Sequence, residues 1–259
     1  MAGGGSCLRA RGHVAVPEAG GVLGSPTVNA PTLRFVVLTG PIASGKSTIG
    51  RLAVEGTAFP FIPEDVDSLS EDREVLAGYY RAVAAFEELH AGARTADPAS
   101  VAAAQETVFR TQQHFIGRRA ARLRASAREG VGGLVERHPT DDIQVFSRRN
   151  LSRGLLTIDQ FASLEAMMES ELAGLPSPML TIFLHADADR LRERIGRRGR
   201  PQEAGLTRPE NSYLEELNAL YTSWHERCRG DKLLIRTDNL TEVTIAAAVR
   251  RELAARGII

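Results

Sequence analysis

Gly40-Pro41-Ile42-Ala43-Ser44-Gly45-Lys46-Ser47-Thr48 fits the pattern G-x-x-x-x-G-K-[ST], a loop built to cradle phosphate. The chemistry follows from the residue types. Glycines let backbone N–H groups turn inward around phosphate oxygens, and a helix opening from the loop adds positive partial charge. Lys46 would bridge the β- and γ-phosphates, and the Ser47 hydroxyl would ligate Mg²⁺. A glycine turn that merely happens to carry a lysine would not need the flanks seen here. Leu33 to Leu38 reads as an apolar, β-branched strand, and Ser47 to Val54 can start a helix. The chain is read as a binder of a nucleoside triphosphate.

Four further clusters could act beside that loop. Pro63-Glu64-Asp65-Val66-Asp67 follows a short apolar run, where a carboxylate could take a proton from an attacking hydroxyl or hold Mg²⁺; a solvated acidic turn is the plain alternative. Leu134-Val135-Glu136-Arg137-His138 again ends a strand, so Glu136 could support the metal and Arg137 could neutralise charge on a transferred phosphoryl group. A surface ion pair is the alternative there, and His138 is read as incidental. From Arg190 to Arg200, six of eleven residues are arginine, with two glycines breaking the run, as a flap closing over phosphates would require. Gln112 and Arg119 lie two helical turns apart and so face one side; a glutamine can donate and accept, as base-edge recognition demands, although a lone glutamine is usually just solvated.

These residues need a scaffold. From residue 32 onward, strand-like and helix-like stretches alternate. Strands are expected at Leu33–Leu38, Ala58–Ile62, Gly130–Val135, Met179–Leu184 and Lys232–Ile235. Helices are expected at Ser47–Val54, Glu71–Leu89, Val101–Ala127, from Thr157 and from Asp187, and at Pro209–Cys228 and Thr241–Ala255. Thr157-Ile158-Asp159-Gln160 has capping-box form, with Ile158, Phe161, Leu164, Met168 and Leu172 as the apolar face. Five such strands imply an α/β, three-layer fold: a five-stranded parallel sheet with helices on both faces. Residues 92–97 read as a loop.

Composition bounds the rest. Lys+Arg and Asp+Glu are balanced at 32 each, which argues against a nucleic-acid polymer as partner. No apolar run approaches the roughly 20 residues that span a membrane. Two distant cysteines, Cys7 and Cys228, make neither a disulfide framework nor a zinc pattern, so a reducing, cytoplasmic setting is expected. Residues 1–31 read as a disordered tail preceding a single domain, 32–259. Arg9 and Arg11 hint at an organelle transit segment, but scarce serine and many glycines argue against an amphipathic helix.

Taken together, GPIASGKST, PEDV, Gln112 with Arg119, VERHPTDDIQVF, RIGRRGRPQEAGL and SYLEELNALY resemble the deoxynucleoside kinase family, in its order, over about residues 33–240. The resemblance implies a P-loop NTPase-type fold with an arginine-rich LID at about 194–206. It implies transfer of the ATP γ-phosphoryl group, with Mg²⁺, to the 5′-hydroxyl of a deoxynucleoside, by a homodimer. Glu64 resembles the base, with Arg137 and Lys46 completing the catalytic group and Ser47 and Glu136 beside the metal. Gly40, Ala43, Ser44, Gly45, Lys46, Ser47 and Thr48, with Arg194, Arg198, Arg200 and Asp238, resemble the ATP site. Tyr80, Gln112, Arg119, Asp142 and Glu203 resemble the nucleoside site, where the Arg119–Asp142 pair implies a purine or cytosine rather than thymine. Tyr79 rivals Tyr80, and Asp142 is preferred to Asp141 on spacing. His138 stands where the family usually has serine, and Phe115 narrows the base pocket. A nucleoside monophosphate kinase and a non-kinase P-loop module remain as rival readings of the loop.

Overall fold

The strands at Phe35–Thr39, Gly133–Glu136 and Leu180–His185 are buried on both faces of the sheet, His185 apart, whereas the two edge strands are only partly buried. The computed structural model of the chain describes residues 33–64, 69–91 and 97–259. The tail 1–31, Asp65 to Asp67 and the loop residues 92–96 lie outside the described residues. The strands are β1 (Phe35–Thr39), β2 (Phe61–Ile62), β3 (Gly133–Glu136), β4 (Leu180–His185) and β5 (Lys232–Arg236). Among the described residues they form one parallel sheet in the order β2-β3-β1-β4-β5. The P-loop therefore leaves the central strand, where chain connections diverge to left and right and open a crevice at the strand ends.

On one face Val36, Leu38, Leu180, Ile182 and Leu184 pack against helices α1 (Lys46–Val54) and α9 (Glu242–Ala255), through Ile49, Ala53, Ile245 and Val249. On the other, Phe35 and Val135 meet Leu123 of α3 (Pro98–Arg128), while Phe183 stacks edge-on with Trp224 of α8 (Tyr213–Arg227) at 4.9 Å. The three-layer architecture is the one expected. Helix α2 (Ser70–Ala91) lies along α3, whose start is fixed by Asp97 accepting from Ser100 N at 3.0 Å, with Pro98 at the first helical position. The capping box at Thr157 is present and opens α6 (Ile158–Leu172).

Several expectations are corrected. Strand β2 is only two residues long: the next rung would be the Glu64 N–H to the Glu136 carbonyl, and that N–H donates to the Glu136 side chain instead. Ile158 is 67% exposed; as the first helical residue it turns away from the core that Phe161 and Leu164 enter. Gly196 stays helical, and only Gly199, at φ +68, ends helix α7 (Ala188–Arg198). Helix α8 starts at Tyr213, not Pro209, after a 3₁₀ stretch at Pro201–Thr207. Residues 139–152, given no element from sequence, form a short helix α4 (Pro139–Asp141), a π-helical turn (Asp142–Ser147) and helix α5 (Arg148–Ser152). No helix among the described residues is long and apolar enough to cross a membrane.

Candidate active site

A cavity of about 640 Å³ lies over the carboxyl ends of β1, β2 and β3. Its floor is the P-loop. Gly40 sits beneath the loop at φ +146, where a Cβ would come within 2.4 Å of the Leu184 carbonyl oxygen, so only glycine fits. The Lys46 ammonium is folded back, donating to the carbonyls of Pro41 at 2.8 Å and Gly40 at 3.0 Å. Burial and the nearby Arg137 charge lower its pKa to about 7. Ala43 adopts φ +61 at the loop's crest.

Glu64 follows β2 and is gripped by two guanidiniums, Arg119 Nη2 on Oε1 and Arg137 Nε on Oε2 at 2.9 Å. Burial alone would raise its pKa, but Arg119, Arg137, Lys46 and Arg122 outweigh that and hold it at about 2. The Ser47 hydroxyl donates to Glu136 Oε1 at 2.7 Å, and the Glu64 N–H donates to Glu136 Oε2 at 3.3 Å. A hydroxyl and a carboxylate side by side are hard oxygen donors of the kind Mg²⁺ takes alongside substrate phosphates. Ser47 and Glu136 therefore fit the ion that the loop implies.

Arg137 follows β3 directly and lies in the left-handed region at φ +59, an uncommon conformation for a non-glycine residue. Its guanidinium donates to Tyr221 OH at 2.7 Å and lies 4.9 Å from the Phe146 ring centroid. Burial would lower its pKa, but Tyr221, Glu64 and Asp141 hold it well above the usual value. Beneath it, His138 and Asp141 form a capping box at the start of α4: His138 Nδ1 accepts from Thr140 N, and Asp141 Oδ1 accepts from His138 N at 3.1 Å. His138 is not incidental, as the sequence reading had it; it is 6% exposed, and burial lowers it to about 4.

The two adjacent aspartates are separated by their partners. Asp141 is engaged by Thr39, by His138 N and by Tyr221 OH at 3.2 Å. Asp142, at the head of the π turn, pairs with Arg119 Nη1 and lines the cavity. Burial pushes Asp142 up to about 7 against the Arg119 charge. Arg119 Nε and Asp142 Oδ2 have no hydrogen-bond partner among the described residues. Gln112 shares their wall with Phe115, Phe146 and Tyr80; Ser147 donates to its Oε1 at 3.4 Å.

Tyr79 and Tyr80 also part ways. The Tyr79 hydroxyl is spent on Asn150 Oδ1 at 3.0 Å. Burial and the nearby Glu203 carboxylate raise the pKa of the Tyr80 hydroxyl, and both side chains line the cavity. Glu203 is 2% exposed and is held by Arg198 and by Arg200 Nη1 at 3.4 Å. Arg194 donates to Thr237 Oγ1 at 3.0 Å and to Ala43 O at 3.4 Å. Arg190 and Arg192 point away, to Glu193, Asp189 and Glu215.

Thus Ala43 to Thr48, Glu64, Tyr80, Gln112, Arg119, Glu136, Arg137, Asp142, Arg194, Arg198, Arg200 and Glu203 line one cavity. Asp238 does not; its Oδ1 accepts from Asp187 N at 2.6 Å and its Oδ2 faces Arg236. With His185 and Asp187 it forms a three-residue cluster in which Arg236 pairs with both carboxylates. Sequence reasoning missed Thr39, Arg122, Ser147 and Tyr221. Only Tyr221 left a signal, two helical turns beyond Tyr213 on the same apolar face.

The sequence model of one family, deoxynucleoside kinase, matches residues 36–253. The chain belongs to the deoxynucleoside kinase family. It is a phosphotransferase acting on deoxynucleosides, with a nucleotide as phosphate donor. The chain is 26% identical over 220 residues to the deoxyadenosine kinase of Lactobacillus acidophilus, covering 82% of this chain and 89% of that one. It is 25% identical over 194 residues to the deoxyguanosine kinase of Bacillus subtilis, covering 73% and 77%. Among solved structures, deoxyadenosine kinase from M. mycoides with bound dATP shares the fold at TM-score 0.63 and 19% identity, over 85% of this chain and 99% of that one. The same enzyme with bound dCTP matches at the same score over 85% and 98%.

Proposed function

We propose that this kinase transfers the γ-phosphoryl group of ATP to the 5′-hydroxyl of a deoxyadenosine, deoxyguanosine or deoxycytidine, in preference to thymidine. One observation carries the reading. Arg119 touches Glu64 with one arm and Asp142 with the other, and leaves Nε and the second Asp142 oxygen unpartnered in the cavity wall. A ring-nitrogen acceptor beside an exocyclic amino donor, which adenine, guanine and cytosine carry and thymine lacks, would satisfy this pair and bring the attached sugar toward Glu64. A base without that pattern would leave buried polar groups unpaired.

Glu64 accepts the hydroxyl proton. A carboxylate held near 2 is a weak base, which suits a loose phosphoryl-transfer transition state that asks for positioning first and proton removal late. Mg²⁺ held by Ser47 and Glu136 would supply charge neutralisation on the phosphates. Lys46, Arg137 and the flap arginines Arg194, Arg198 and Arg200 spread the remaining charge. Glu203 and Tyr80 hold the sugar 3′-hydroxyl. The flap pairs Glu203–Arg198 and Glu203–Arg200 would exchange when the sugar and phosphates enter. A homodimer is the expected assembly, read by sedimentation.

Glu64→Gln should keep ATP binding and lose most turnover with every acceptor; near-parental turnover would remove Glu64 from the role. Rates for the four deoxynucleosides with ATP test the base preference, and thymidine as best acceptor would overturn it.

A further inference from the structure

Strand β2 is an edge strand, paired with β3 through Phe61↔Leu134 and Ile62↔Val135 only. Glu64 is delivered just beyond that ladder, by a segment whose other side has no strand among the described residues. β3 does not share this weakness, since Arg137 N donates to Leu38 O at 3.1 Å and ties its end to β1. The next rung would run from the Glu64 N–H to the Glu136 carbonyl, but that N–H is taken by the Glu136 side chain. The Glu136 carbonyl loses its rung there, beside the Pro63 carbonyl, at the point where the two acidic residues must be held apart and in register.

Arg122 answers both. It is half-buried on α3, one turn beyond Arg119, and does not line the cavity. Its Nη1 donates to Pro63 O and its Nη2 to Glu136 O at 3.3 Å. Burial and the Arg119 charge lower its pKa to about 10, which leaves it charged at neutral pH. We infer that Arg122 is a positioning residue: its two-pronged guanidinium ties the ends of β2 and β3 together where the next rung is missing, and fixes Glu64 relative to Glu136. The inference rests on Glu64 being the base. A planar fork holds two donors in fixed directions toward two carbonyls of different strands, whereas a lysine there offers one mobile point charge.

The test uses the full chain, ATP and the best of the four deoxynucleosides as acceptor. Arg122→Met and Arg122→Lys should both melt cooperatively, keep KM for ATP and nucleoside within about threefold, and lose kcat by roughly 10- to 100-fold, as misplacement of a reacting group does. In a Glu64→Gln background, Arg122→Met should change the residual kcat by less than about twofold, because the group it positions is gone. A parental kcat in the lysine variant overturns the bracket, as does an Arg122→Met effect that multiplies fully onto Glu64→Gln, which would mark general support of the fold. If the methionine variant does not fold, the lysine variant decides alone. Near-parental turnover by Glu64→Gln itself would instead sink the base assignment, so the two failures read differently.

Discussion

Replacing His138 by serine should remove a defined part of the enzyme's acid sensitivity. His138 is 6% exposed, and burial lowers it from an ordinary 6.5 to about 4. Between those values the unfolded chain binds a proton that the folded chain refuses, so stability is present above 6.5 and is lost as pH falls toward 4. At about 1.4 kcal/mol per pKa unit, the loss from this one group between pH ~7.5 and ~5 comes to about 2 kcal/mol. The nitrogen that acid would protonate, Nδ1, is the one that accepts from Thr140 N, so charging His138 also dismantles the cap beneath Arg137. Serine keeps an acceptor at that cap and cannot charge. Urea titrations of parent and His138→Ser at both pH values give the comparison, and contributions from other groups, such as Asp141, cancel between the two proteins. The stability lost on acidification should be smaller by about 2 kcal/mol in the variant. Equal losses in parent and variant would refute the argument, since they would mean His138 is already charged, or freely hydrated, in the folded state.

Lys46, lowered to about 7, should regain its charge when a triphosphate arrives, so ATP binding near pH ~8 should take up protons and weaken as pH rises above 7. Calorimetry in two buffers of different ionisation heat checks this; no uptake, or the same uptake in Lys46→Met, counts against it. Tyr80→Phe should raise the deoxynucleoside KM roughly tenfold and have no effect on a 2′,3′-dideoxynucleoside, as expected for one lost hydrogen bond. Tyr79→Phe should instead cost about 1–2 kcal/mol of stability through Asn150, with KM little changed. Gly40→Ala should destabilise the fold by at least ~2 kcal/mol, read by melting, because its Cβ would meet the Leu184 carbonyl.

The parts of this molecule written in strong local patterns were legible. The P-loop, the two-turn spacing of Gln112 and Arg119, the capping box at Thr157 and the apolar runs of β1 and β4 each follow from a period or a short motif, and the cavity brings the loop, Gln112 and Arg119 together. The stretch 139–152 was opaque because a π turn has no period to betray it and its polar residues are buried by partners far away in the chain. Asp141 and Asp142 are chemically identical neighbours; only Thr39 and Tyr221 on one side, and Arg119 on the other, separate them. Arg122 was one arginine among Arg118, Arg119 and Arg124, and nothing local distinguishes the one that reaches Pro63. Asp238 was assigned by proximity in a motif, yet its carboxylate is consumed by Asp187 and Arg236.

The position of β1 in the middle of the sheet has a consequence for how such an enzyme can change. The groups proposed to read the base and take the proton, Glu64, Gln112, Arg119 and Asp142, hang from β2, β3 and α3 on one flank, whereas Arg194 and Thr237 belong to the opposite flank, after β4 and β5. Mutations that retune which nucleoside is accepted can accumulate on the first flank while the donor half keeps its fit, so the two preferences are free to evolve at separate rates.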